Sequence, residues 1–533
     1  MKPNKIAGYF FLLINQYPLL LRLVLAGFGV VSSLAFAPYH LVFLLFPAFS
    51  FLIWFLDIQT KRISVFATIW WFGLGHFVFG NAWMANAILV RVDEFGWLYP
   101  IALFAPGAVL ATLPALLGAV VWSRCKSPDI MVSVISVAFA WSLSEWLRCW
   151  LLTGYPWNLI GYVWSNYIPV LQSVNIIGVL GLGLLTLITA MLPVLFWSPT
   201  KKPVINLKNI TFLAAVIFIW LGIVIYGVQR LHYFPTTYVP GILLRLVQPA
   251  ISQQDKINPD NYQSNLNDYL RLTRNTSNFH QVTHVIWPES SVSYDVERYP
   301  EVRQLLSSAV PEGGKLIFGA NRLLWQGDQV IQAWNSLYVI DQLGYILARY
   351  DKTHLVPFGE YVPGRSWFPW LNKITPGTLD FSAGSGHVTL TLENDILPPF
   401  SPLICYEVIF PGQVKSYTDG PTWLLNITND GWFGLSSGPY QHFAMAKTRA
   451  VEEGIPLIRV AATGISGVVD PYGRILALIP LNQVGVVDAP LPKPHPTRTW
   501  YSKFGNSTFL VLLGMLAIFL VWSRVTTRRE PKG

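Results

Sequence analysis

Long apolar runs without strand-like alternation fill the first 230 residues and recur near the end of the chain. Eight such windows stand out: 23–40, 41–57, 63–82, 98–122, 130–150, 169–197, 210–229 and 506–523. Each is near the roughly 17–25 residues that cross a bilayer as a helix, so the pattern predicts about eight transmembrane helices. The first two are joined by a short turn at Pro38. From about residue 230 the pattern changes to short apolar runs bounded by turn residues, such as "ILLRLVQ", "THVIWPE", "KLIFGAN", "SLYVID", "SPLICYE", "WLLNIT" and "PLIRVAA". Helical stretches fall between them, "NYQSNLNDYLRLTRNTSNF" early and "YQHFAMAKTRAVEEG" late. Strands alternating with helices predict one α/β domain. The expected organisation is a seven-helix membrane domain over 1–229, the α/β domain over 230–505, and a last helix with its tail over 506–533.

Composition agrees with a membrane protein. The 533 residues are 53% hydrophobic and 12% charged, against about 25% charged in soluble domains. A net charge of +9 raises the question of nucleic acid, and its placement answers it. The N-terminus, three short loops and the tail hold 14 basic residues and three acids, Asp57, Asp129 and Glu530. The rest of the chain is slightly acidic, so the excess marks topology and excludes nucleic acid as a partner. Every second helix junction is basic: Lys61/Arg62, Arg124/Lys126, Lys201/Lys202/Lys208 and the C-terminal tail. The positive-inside rule then puts both termini in the cytoplasm and the α/β domain on the outer, periplasmic face.

Three strand ends carry reactive groups: Glu289 after "THVIWP", Lys352 after "ARYD" and Cys405 after "SPLI". A lone cysteine ending a strand is ordinarily a buried structural residue. A carboxylate, a cation and a thiol together supply what thiol acyl transfer requires: a base to make the thiolate and a charge to hold the oxyanion. The three cysteines, 125, 149 and 405, form neither a disulfide framework nor a metal motif. His280 and His284 in "HQVTH" have i, i+4 spacing but lead into a strand without a third ligand, so no metal is expected. Glu145 and Arg148, i, i+3 on a membrane helix, are expected to be a structural pair.

The set Glu289, Lys352 and Cys405, with "CYE" after its strand, resembles the Glu–Lys–Cys triad of the nitrilase superfamily. With the flanking helices, and with "TGYPWNLIGY", "WPES", "YDKTHLVPFGEYVPG", "NDGWFG" and "GPYQH", the chain resembles the membrane-embedded apolipoprotein N-acyltransferase branch of that superfamily. It departs from the usual pattern at Ala250, at Ile257 and at the pair Ala461–Ala462.

The resemblance implies an α-β-β-α sandwich and a bacterial inner-membrane enzyme that acylates lipoproteins through a cysteine thioester. Cys405 would be the nucleophile, Glu289 the general base, and Lys352 the oxyanion cation, assisted by the backbone N–H of Tyr406. Glu360 would be a second active-site carboxylate, and Glu407 a supporting or structural one. Trp367, Phe368 and Trp370, in an aromatic loop, would face lipid. The expected partners are a phospholipid donor, typically phosphatidylethanolamine, and the N-terminal amine of diacylglyceryl-modified lipoproteins. No cofactor is expected, and the protein is expected to be a monomer. The competing readings are a membrane-tethered amidohydrolase with the same triad and a non-catalytic lipid-binding or transport protein.

Overall fold

The computed structural model describes residues 16–529 except 126, 128, 198–205, 275–277, 368–372, 378 and 417–419. The chain forms two compact units. One comprises residues 1–83, 100–233 and 503–533, and the other Met84–Tyr99 and Phe234–Ser502.

Six helices of the described residues are long and apolar enough to cross a membrane: Arg62–Gly80, Val92–Cys125, Ile130–Arg148, Val174–Leu195, Leu207–Tyr233 and Ser507–Thr526. Six helices, against the expected count of about eight, reach that length among the described residues. The first two windows do form apolar helices, Pro18–Ser33 and Val42–Asp57, but these are shorter. At 1.5 Å per residue, the 16 residues of Pro18–Ser33 reach only about 24 Å, against a hydrocarbon core of about 30 Å. Small residues let this helix approach Arg62–Gly80 closely: a Cβ on Gly75 would stand 1.9 Å from the Ala26 carbonyl oxygen. Glu145 accepts from the Ile160 backbone N–H at 2.9 Å, and Arg148 donates to the Trp157 carbonyl at 2.8 Å. Both charged residues thus grip the backbone of the "PWNLI" stretch.

The second unit contains two sheets. The first has six strands in the order β11-β1-β2-β3-β4-β5: β1 Tyr238–Gln248, β2 His284–Ile286, β3 Lys315–Gln326, β4 Gln329–Ile340, β5 Ile346–Asp351 and β11 Gly485–Pro492. The second has the order β10-β9-β8-β7-β6: β6 Phe400–Ile404, β7 Trp423–Thr428, β8 Leu457–Ala461, β9 Ser466–Val469 and β10 Ile475–Ile479. Side-chain alternation explains the layering. Leu244, Leu246, Ile286, Ile317, Leu337 and Val339 point inward, onto Phe400, Ile404, Leu425, Ile427, Ile458 and Val460 of the other sheet. Their neighbours Val247, Val285, Trp287, Leu316, Phe318 and Tyr338 point outward, beneath Leu266, Tyr269 and Leu306. The last three residues belong to the helices Tyr262–Arg274 and Pro300–Ser307. The helix Ser437–Glu453 packs on the outer face of the second sheet, against β8 and β9. The result is the expected α-β-β-α sandwich. Arg245, fully buried on the outer face of β1, is held by Asp488 of β11 at 2.7 and 2.6 Å and donates to the Thr273 carbonyl.

Candidate active site

Glu289, Lys352 and Cys405 all stand just beyond the C-terminal ends of strands: β2, β5 and β6 respectively. The Glu289 turn is fixed from both sides. Trp287 donates its backbone N–H to the Ile317 carbonyl and its indole N–H to Thr273. Gly319 of β3 lets the turn lie flat on the sheet, because a Cβ there would stand 2.5 Å from the Ser290 nitrogen and 2.7 Å from the Glu289 Cα. The sharpness of the turn shows in Ser290, whose φ is +48°.

Lys352 lies between two carboxylates. Its Nζ is 3.0 and 2.9 Å from the two oxygens of Glu360 and 3.7 Å from Glu289 Oε1. Asn335 of β4 joins the carboxylates by donating from Nδ2 to Glu289 Oε1 at 2.7 Å and to Glu360 Oε1 at 2.9 Å. Its backbone carbonyl also accepts from the Lys352 N–H. Glu360 Oε2 accepts the Val356 N–H at 2.8 Å, whereas Glu289 Oε2 is buried without a hydrogen-bond partner among the described residues. Glu360 is thus committed to Lys352 and its loop, and Glu289 keeps one oxygen available for proton transfer.

Cys405 begins a turn of 3₁₀ helix, Cys405–Ile409, directly after β6, with φ of +52°. A non-glycine residue in this region is strained, and such residues cluster at functional sites. Glu407, completely buried, holds the turn. One of its oxygens accepts from the Ile404 N–H at 2.7 Å. The other accepts from the Tyr350 hydroxyl, the Thr353 N–H and hydroxyl, and the His354 N–H, at 2.8, 2.7, 2.9 and 3.2 Å. This carboxylate therefore fastens the Cys405 turn to the segment carrying Lys352, across the two sheets.

The electrostatics divide the labour. Burial, followed by the charge of Glu289, pushes the Cys405 thiol well above its ordinary value, with Lys352 opposing. The resting thiol is neutral. Burial raises Glu289 above the usual carboxylate range, reinforced by Glu360 and opposed by Lys352, Asn335 and Lys256. The neighbouring carboxylates overcome the burial of Lys352 and hold it above its ordinary value, so it is a permanent cation. The site pairs a fixed ammonium with a carboxylate of raised basicity beside a thiol, the requirements for nucleophilic catalysis.

Lys256 belongs to the same neighbourhood, although the sequence did not single it out. It is buried, its Nζ donates to the Glu289 carbonyl at 2.7 Å, and burial lowers its pKa to about 8. Asn335 was missed as well; its signal was an amide inside the apolar run "AWNSLYV". The Tyr406 ring packs edge-on against Phe410 at 5.1 Å. Trp367 is 79% exposed, and Phe368 and Trp370 lie outside the described residues. His284 bonds to Asp395 at 3.1 Å, which also pairs with Lys315. The departures at 250 and 462 meet in space: the Ala250 N–H donates to the Ala462 carbonyl, and Ala250 has φ of +55°.

Residues 28–192 match the family model described as the apolipoprotein N-acyltransferase N-terminal domain, and residues 243–495 match the carbon-nitrogen hydrolase model. An apolipoprotein N-acyltransferase of Rhodopseudomonas palustris is 38% identical over 526 residues, covering 95% of this chain and 94% of that one. One from Rickettsia prowazekii is 34% identical, covering 92% and 96%. Among solved structures, a mutant amidase of the nitrilase superfamily from Nesterenkonia AN1 is similar at 21% identity, covering 49% of this chain and 94% of that one, with a TM-score of 0.35. On the full-length identity to these relatives, the chain belongs to the apolipoprotein N-acyltransferase family.

Proposed function

We propose that this protein transfers a fatty acyl chain from a membrane phospholipid to the N-terminal amine of diacylglyceryl-modified lipoproteins, by way of a thioester on Cys405. The observation that carries the reading is the buried ammonium of Lys352, held between Glu289 and Glu360 and opposing the rise of the Cys405 thiol pKa. As Cys405 Sγ attacks the ester carbonyl of the donor, its proton passes to Glu289. Lys352 and the Tyr406 N–H hold the resulting oxyanion. The tetrahedral intermediate collapses, the ester C–O bond breaks, and the departing alkoxide of the lysophospholipid takes the proton from Glu289. The acceptor amine then attacks the thioester and gives its proton to Glu289. The C–S bond breaks, and the proton returns to the thiolate. The thioester conserves the acyl energy of the donor, so no cofactor is required.

The alternating basic loops support an inner-membrane orientation with the catalytic domain in the periplasm and both termini in the cytoplasm. Phosphatidylethanolamine is the donor we assign, and the monomer the acting form. Exposed Trp367 suits a loop at the headgroup level.

The test uses the full-length protein in detergent. With phosphatidylethanolamine alone, intact mass should show one acyl adduct on Cys405, stable until a diacylglyceryl-cysteinyl peptide is added and absent in Cys405→Ala. Acetylating the N-terminus of the peptide should block discharge. Fatty acid released equally fast without peptide would make the protein a hydrolase.

A further inference from the structure

Around the Cys405 turn, the second sheet, the loop after β7 and the helix Ser437–Glu453 carry four polar side chains with no part in the chemistry described so far. His442, Asn426, Asp430 and Arg459 are all buried. Two of them, His442 and Asn426, reach one atom, the Cys405 carbonyl oxygen. His442 Nε2 lies 3.2 Å from it and Asn426 Nδ2 lies 3.4 Å from it. The Asn426 amide also donates to the Leu403 carbonyl at 3.1 Å.

A carbonyl oxygen only accepts, so His442 must carry its proton on Nε2. His442 Nδ1 is held between two groups, 3.0 Å from Arg459 Nη2 and 2.9 Å from Asp430 Oδ1, and Arg459 Nη2 donates in turn to Asp430 Oδ2 at 2.8 Å. Burial and the Arg459 charge hold the imidazole below its ordinary pKa, with Asp430 opposing. Arg459 Nη1 donates to Asn426 Oδ1, which turns the amide nitrogen toward the Cys405 carbonyl. The Arg459–Asp430 pair thus orients the imidazole, and Arg459 orients the amide.

The geometry of the peptide bond gives this grip a consequence. The carbonyl of Cys405 and the N–H of Tyr406 belong to one planar trans unit, in which they point in opposite directions. Fixing the oxygen on one side fixes the N–H on the other, and that N–H is the backbone oxyanion donor of the proposed reaction. Cys405 needs such a restraint because its φ of +52° is strained and the unit would otherwise relax.

We propose that His442 is a positioning residue for the oxyanion, its Nε2–H holding the Cys405 carbonyl so that the Tyr406 N–H stays aimed at the acyl oxygen. The proposal rests on the reading of Cys405 as the nucleophile, and its test separates the two. Formation of the thioester from phosphatidylethanolamine passes through an oxyanion; alkylation of the same thiol by iodoacetamide does not. In full-length protein in detergent, His442→Phe keeps a planar ring and loses the donor. It should slow single-turnover thioester formation by about tenfold to a hundredfold, approaching the loss of an oxyanion donor. Alkylation at Cys405, mapped by peptide mass, should proceed at the wild-type rate. His442→Gln, whose amide nitrogen reaches the Nε2 position, should recover most of the acylation rate, whereas the shorter His442→Asn should not. The Gln and Asn pair decides the matter even if the Phe variant does not fold. Equal loss of acylation and alkylation would reduce His442 to a structural residue, and unimpaired acylation in His442→Phe would also overturn the proposal. Absence of a Cys405 thioester in the wild-type protein would instead overturn the nucleophile assignment.

Discussion

Replacing Glu407 with Gln changes one oxygen into an amino group at a point where every neighbour is a donor. In the wild type, five donor groups converge on this carboxylate: Ile404 N–H on one oxygen, and the Tyr350 hydroxyl, Thr353 N–H and hydroxyl, and His354 N–H on the other. The Gln oxygen would take the side with four donors, leaving its amino group facing the Ile404 N–H. One buried donor is then unsatisfied, at about 1–3 kcal/mol, and the other bonds lose the strength that a charged acceptor gives them. A total of about 3–4 kcal/mol follows, and in a domain of this size it lowers Tm by on the order of 10 °C. The kinetic effect is local, since Ile404 immediately precedes the nucleophile: thioester formation should slow more than the stability loss alone predicts at temperatures where the variant is folded. The assay is thermal unfolding of the purified protein by tryptophan fluorescence, paired with single-turnover acylation well below Tm. Thr353→Ala, which removes one of the five donors, should fall much closer to wild type. Wild-type Tm and acylation rate in Glu407→Gln would refute the argument that this carboxylate fastens the Cys405 turn.

Lys352→Ala should reduce the rate of thioester formation by about 10²–10³, or about 2.7–4 kcal/mol, if the ammonium acts as an oxyanion donor; a rate within a few-fold of wild type would remove it from that role. Glu289 must be ionised to accept a proton, so acylation falls in acid, and Glu360 is one of the charges that raise its pKa. Glu360→Gln should therefore move the acid limb of the pH–rate profile to lower pH, and Lys352→Ala should move it to higher pH; the opposite displacements would contradict the electrostatic account. Gly319→Ala forces a methyl against the Glu289 turn at 2.5–2.7 Å, costing about 1–3 kcal/mol of stability by overpacking and slowing acylation, as unfolding and single-turnover measurements would show.

Strand ends made the reactive groups legible. Glu289, Lys352 and Cys405 each follow an apolar run bounded by turn chemistry, and β2, β5 and β6 end where those runs end. Glu360 and Glu407 were visible as acids but not as different acids, because their roles depend on partners elsewhere: Asn335 for one, Tyr350 and Thr353 for the other. Asn426 and Arg459 sit inside the apolar strands "WLLNIT" and "PLIRVAA", where buried polar groups signal a network without revealing its target. The first membrane window was misplaced because hydropathy alone does not locate the ends of a helix, whereas the second, 41–57, matches Val42–Asp57 to within a residue. Pro18–Ser33 stops well before the apolar window that runs on to residue 40.

The stretch Met84–Tyr99 groups with Phe234–Ser502, although helices from Pro100 to Tyr233 separate them in sequence. Asn86 donates to the Phe433 carbonyl, 347 residues later, and Arg91 donates to the Ile374 carbonyl, 283 residues later. During synthesis this stretch leaves the ribosome long before the loops it will bind, and it must wait through most of translation for its partners. The entropy of closing so long a loop rises only logarithmically with its length, so the delay carries little thermodynamic penalty. It does set an order of events: this unit is finished only when the C-terminal half of the chain has emerged. A fragment excised at Phe234 would fold without the donors that the Ile374 and Phe433 carbonyls receive in the intact protein.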